Sequence, residues 1–244
     1  MPSYDPSHFT IQDMAESAAY LRHLGRNAGS MEEAGQSIVD YFCDTLTCPA
    51  DGRPSTVLAR IYKTQQFGKL PSDLREWAKR SLNGVHAPAR MRCLTLLATR
   101  GERPEWNERR KSAGHRCIPL ISEQAVSQAP MIARLIRQFG LEINTVLAPD
   151  PALLLDLSER TYNVFYVPQA AGSPYVPAQE DFVVPCGIQS VLGFGGMLHS
   201  GDLFAVILFL RHPVPQESAD LFEPLALSVK VALTPFVGSE FRNG

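Results

Sequence analysis

Residues 203–210 read LFAVILFL, eight apolar side chains with no polar interruption. A strand alternates its side chains between two faces, so a run that is apolar at every position must be covered on both. The run is far too short to cross a bilayer, which takes about 20 residues of helix. It therefore reads as a buried strand, central in its sheet. Residues 188–198 before it form another strand, with glycines at 193, 195 and 196, and Ser200–Gly201 supply a turn. Together they make a β-hairpin. After it, Gln216 to about Pro235 places Leu221, Leu225, Val229 and Leu233 on one stripe, the spacing of a helix.

Upstream, residues 1–10 read as a loose leader. Ile11, Met14, Ala18 and Leu21 recur at helical spacing, ending near Gly25. Ser30 and Glu33 form an S-x-x-E capping pattern for a second helix with Ala34, Ile38, Phe42 and Leu46 on its apolar face. Pro49, Gly52 and Pro54 break it. Strands are expected at 56–63, 92–99, 115–120 and 163–167, with a short helix opening at Pro71–Ser72. Pro130 opens a helix that stops at Gly140, and Asp150–Pro151 reads as the cap and first residue of another. Residues 168–185, rich in Pro, Ala and Gly, read as a long ordered loop, a type of segment often used for function.

The 244 residues allow one large domain or two small ones; 45% are hydrophobic and 20% charged, enough to bury a real core. A net charge of −2 argues against a protein that works by neutralising nucleic-acid phosphates, and against an electrostatic membrane anchor. The N-terminus shows no basic segment followed by an apolar run, so no secretory signal is expected. Five scattered cysteines suggest no disulfide framework and fit a reducing, cytoplasmic setting.

The segment IQSVLGFGGMLHSGDLFAVILFLRHPVPQESADLFEPLALSVKVAL, residues 188–233, resembles the end of a GAF domain: a hairpin with an apolar second strand, then a helix carrying an L-F-x-x-L-A pattern. The resemblance extends more weakly over 31–46, 56–63 and 92–99. It implies an α+β, GAF-like (profilin-like) fold: an antiparallel sheet of five or six strands, helices on one face and connector segments on the other. The implied layout is a leader and helix over 1–29, one domain over 30–236 elaborated at about 120–185, and a tail over 237–244. It also implies a sensory, signal-transduction module of the kind found in bacterial two-component systems. Such a module binds a small ligand or relays a signal to a histidine kinase or another output domain. A homodimer through the first and last helices is expected because the terminal stripe needs cover. Neither nucleic acid nor membrane insertion is expected.

The candidate ligand-binding residues are His115, Cys117, Tyr162, Phe165, Tyr166 and Cys186. On a strand, His115 and Cys117 would face one way, as metal or haem ligands or as a core thiol beside a hydrogen-bonded His. The aromatic run Tyr162, Phe165, Tyr166, Tyr175 and Phe182 would line an apolar pocket or plug the sheet's open end. Haem, a small organic ligand and no cofactor at all stay open from these residues. Cys43 and Cys48 read as tolerated rather than a metal clip. The glycines at 193–196 sit inside a strand and read as close packing, not a phosphate loop. Trp106 with Arg109, Arg110 and Lys111 reads as an anion-binding rim or a solvated basic face. No catalytic motif is present. The alternatives to sensing are a thiol-dependent, methionine-sulfoxide-type reductase, which needs a low-pKa cysteine beside a resolving one, and a ligand-free dimerisation scaffold.

Overall fold

The computed structural model describes residues 2–48, 51–160 and 162–241; Pro49, expected to break the helical pattern, and the last three residues of the expected tail lie outside them. Six strands form one sheet: β1 (Thr56–Gln66), β2 (Arg92–Gly101), β3 (Cys117–Leu120), β4 (Phe165–Val167), β5 (Ser190–Met197) and β6 (Leu203–Leu210). Their order is β3-β2-β1-β6-β5-β4, and every pairing is antiparallel.

β6 is flanked by β1 and β5, as its two-faced apolar sequence demands. Phe204, Val206, Leu208 and Leu210 join one core; Leu203, Ala205, Ile207 and Phe209 join the other. All eight are buried, and a fully buried side chain of this size is worth about 1.5–3 kcal/mol. The glycines of β5 serve close packing. A Cβ on Gly195 would lie 2.1 Å from the Phe204 carbonyl oxygen, and one on Gly193 would lie 2.8 Å from Ile207 Cδ1.

The first core is closed by α1 (Ile11–Leu21), α2 (Met31–Thr45) and α9 (Leu225–Leu233). Ser30 caps α2 by accepting from the Glu33 amide; the Glu33 carboxylate accepts from Gly29 rather than Ser30. The leader is not loose. Tyr4 and Phe9 are buried, the Tyr4 amide donates to the Thr45 carbonyl, and Phe9 stacks on Phe222 at 4.5 Å. The expected single C-terminal helix is two: α8 (Gln216–Asp220) and then α9, whose start follows Pro224. Proline lacks the N–H that would continue the ladder. The stripe Leu225, Val229 and Leu233 is buried on the chain's own sheet, so it needs no partner to cover it. The outward side of α9 instead exposes Leu227 and Val231.

The second core is closed by connectors: α4 (Glu123–Ser127), α5 (Pro130–Gln138), α6 (Ile143–Leu147) and α7 (Leu154–Glu159). α4 and α6 are five-residue helices that periodicity does not predict. Gly140 stops α5 with φ +74°, and the Asp150 carboxylate accepts from the Ala152 amide at 2.9 Å. A third, smaller cluster lies where α3 (Ser72–Ser81) covers the β2–β3 edge, with Leu74, Cys93 and Cys117.

Candidate ligand-binding chamber

On the connector face a cavity of about 680 Å³ lies between part of the sheet and its cover, beside the packed residues of the second core. Its floor comes from alternate residues of the two middle strands, Leu58, Arg60, Tyr62 and Thr64 of β1 and Leu203, Ala205, Ile207 and Phe209 of β6. Strand alternation alone sets this. Met131, Ile132, Leu135 and Ile136 of α5 form the roof. Trp106 and His115 line it as well, together with Pro174, Pro177, Ala178 and Phe182 of the long loop. The Phe182 ring stands edge-on to Trp106 at 5.5 Å and to Phe209 at 5.0 Å, fixing that wall.

Few polar groups enter this apolar space. Arg60 is only 8% exposed; it donates to the Tyr62 hydroxyl at 3.1 Å and to Ser112 Oγ at 3.0 Å. Its Nε–H is buried without a partner among the described residues. His115 sits in the left-handed region at φ +56°, as does Ala178 at φ +58°. Non-glycine residues pay to adopt that region, and such strain gathers at functional sites. Burial first, and then the charge of Arg60, lower the His115 pKa below its ordinary value, which favours the neutral ring. His115 is itself exposed where it borders the chamber. Arg103 lies over the Trp106 ring at 4.8 Å, and Asp181 is exposed at the rim.

Of the residues expected to bind ligand, His115 borders the chamber and the other five do not. β3 begins at Cys117, and the turn at His115 breaks the shared face. His115 borders the chamber while Cys117 is buried under α3, so the two cannot ligate one group. Tyr162 and Phe165 are packed in the connector core, outside the chamber wall. The Tyr162 hydroxyl donates to the Leu157 carbonyl, and burial pushes its pKa up to about 12. Tyr166 faces the opposite core and donates to the Val214 carbonyl. Cys186 lies behind the wall, accepting from Arg103 at 3.3 Å. Of the aromatic run, Phe182 is the member that lines the chamber.

The basic run is committed elsewhere. Arg109 is buried between Glu32 at 3.0 Å and Asp73 at 2.8 Å, and Lys111 pairs with Glu108. Among the described residues no cluster of three or more His, Cys, Asp or Glu could hold a metal ion, and no helix is long and apolar enough to cross a membrane. Arg60 was not among the expected site residues, yet it carries a signal in the sequence: a charge between Leu58 and Tyr62 on one face of an alternating strand.

The architecture is GAF-like. One antiparallel sheet has the terminal hairpin at its centre, terminal helices on one face and connectors on the other. Solved structures similar to the chain include GAF domains. That of a phosphoenolpyruvate-protein phosphotransferase from Coxiella burnetii is 12% identical, with 93% of this chain and 94% of that one covered and a TM-score of 0.44. Its counterpart from Acinetobacter is 11% identical, with 92% and 95% covered and a TM-score of 0.46. The phycocyanobilin-bound GAF domain of a cyanobacterial phytochrome is 9% identical, with 94% and 98% covered and a TM-score of 0.42. No protein-family model and no curated protein matches the sequence.

Proposed function

We propose that this chain is a sensory or regulatory module that takes a small organic ligand into the chamber and relays its occupancy through the terminal helices. The observation that carries this reading is the chamber itself: about 680 Å³, apolar, with a few convergent polar groups. Ligand sites fall at roughly 300–1,000 Å³ with that character, whereas a pure scaffold has no use for unfilled space. The relay has a short physical route. Ala205 and Ile207 touch the chamber, while Val206 and Leu208 of the same strand belong to the core that α9 covers. A ligand that prefers one setting of β6 would shift the helices by its differential affinity. A homodimer through the exposed Leu227 and Val231, and a histidine kinase or other output domain as recipient, belong to the same proposal.

The thiols count against the reductase alternative. Cys93 and Cys117 are fully buried, and the Cys117 thiol is pushed up by its hydrogen bond with Cys93 and by burial. Burial also pushes Cys43 up to about 12. A nucleophilic thiol needs the opposite shift.

The test is thermal unfolding of the chain against a library of small organic molecules. A ligand at 100 times its Kd adds about 2.7 kcal/mol of stability. Ala205→Leu, which narrows the chamber from its floor, should remove that gain. A library with no stabilising member, or a gain unchanged by Ala205→Leu, would count for the scaffold instead.

A further inference from the structure

Among the described residues four basic side chains are buried: Arg60, Lys63, Arg92 and Arg109. Three of them are neutralised. Lys63 and Arg92 share Asp202, Lys63 also meets Glu240 at 3.1 Å, and Arg109 holds Glu32 and Asp73. Arg60 alone of the four has only neutral partners, the hydroxyls of Tyr62 and Ser112, and an orphan Nε–H. It is also the one of the four that borders the chamber.

A buried charge is costly unless paired, and Arg keeps its proton under all ordinary conditions. The fold has therefore placed a permanent, uncompensated cation against an apolar cavity. We infer that the chamber takes an amphipathic anion, with a carboxylate or phosphate head on Arg60 and an apolar body between β6 and α5. This rests on the sensory reading above and names the ligand class. The surrounding charges agree with it. His115 borders the same space and can donate a ring N–H to the head; Arg103 adds a second cation at the rim. Asp181 is the one carboxylate along the wall among the described residues, and it is exposed. An anion on Arg60 would satisfy the guanidinium with charge-assisted hydrogen bonds, roughly twice as strong as neutral ones.

The test is equilibrium dialysis of the whole chain with four ten-carbon compounds of matched tail: decanoate, decyl phosphate, decanol and decylammonium. Either or both anions should bind at least ten-fold tighter than decanol, and decylammonium should bind weakest. The ratio of decanoate to decyl phosphate identifies the head. Arg60→Met should erase the preference for anion over decanol, and Arg60→Lys should retain most of it, each variant's fold being checked by circular dichroism. Decanol binding as tightly as the anions, or a preference that survives in folded Arg60→Met, overturns the anionic head but leaves the sensory reading intact. Binding of none of the four overturns the inference for this class of apolar body. The sensory reading itself then falls only if the broader library also fails.

Discussion

The packing of β5 on β6 makes a graded prediction about three glycines. At Gly195 an added Cβ would lie 2.1 Å from the Phe204 carbonyl oxygen and 2.9 Å from Ala205 Cα. Both are backbone atoms of the neighbouring strand, so no rotamer change can relieve the clash. Restoring ordinary contact means separating two central strands by about 1 Å at a residue pair held by the ladder. Overpacking of this kind costs typically 1–3 kcal/mol, and the upper end applies where backbone must move. Alanine recovers roughly 0.5–1 kcal/mol through the lower entropy of the unfolded chain. The net for Gly195→Ala is about 2 kcal/mol of destabilisation. At 2–4 °C per kcal/mol for a chain of this size, that lowers Tm by about 4–8 °C. At Gly193 the nearest atom is Ile207 Cδ1, the free end of a side chain, so Gly193→Ala should cost less. At Gly114 nothing lies within 4 Å, and Gly114→Ala should stay within about 0.5 kcal/mol of the parent. The assay is thermal unfolding followed by circular dichroism, with urea unfolding for free energies. If Gly195→Ala proves as stable as Gly114→Ala, or Gly193→Ala is the costlier of the pair, the close approach of β5 and β6 is not as described.

Three further predictions concern charge and thiols. Asp202→Asn strips Arg92 of its carboxylate and leaves Lys63 with Glu240 alone, so urea unfolding should show a loss of about 3 kcal/mol, and a loss under 1 would contradict the network. Of five cysteines four are buried, so a thiol reagent should label Cys186 quickly and the others only on unfolding; fast labelling of two or more would contradict this burial. Because the His115 pKa is lowered on folding, the unfolded chain takes up a proton that the folded chain refuses as pH falls below about 6.5. Stability from this group is therefore full above that pH and declines below it, and His115→Gln should flatten the loss between pH 7.5 and 5.5; identical pH profiles would refute the environment assigned to the ring.

How far the sequence speaks depends on whether an element is fixed locally. β6 is legible because a two-faced apolar run admits only a central strand, and α2 because Ser30 and Glu33 mark its start. The end of α5 is legible because Gly140 takes φ +74° without penalty. The break between α8 and α9 was written in Pro224 but hidden by a hydrophobic stripe that continues in register across it. The leader's burial could not be read, since it depends on Phe9 meeting Phe222 far along the chain. The site was half legible. Alternation puts Arg60 and Tyr62 on one face, yet nothing local says which face meets a cavity. His115 and Cys117 part because a left-handed turn at His115 precedes the strand, and tertiary packing decides that turn.

An apolar chamber lies between β6 and α5, and xenon reports such space directly because it enters dry apolar cavities. Crystals of the chain pressurised with xenon should show it bound between Ile207 on the floor and Leu135 and Ile136 in the roof. An absence of xenon there, with Leu135 and Ile136 resting directly on Ile207, would contradict the chamber and the ligand reading together.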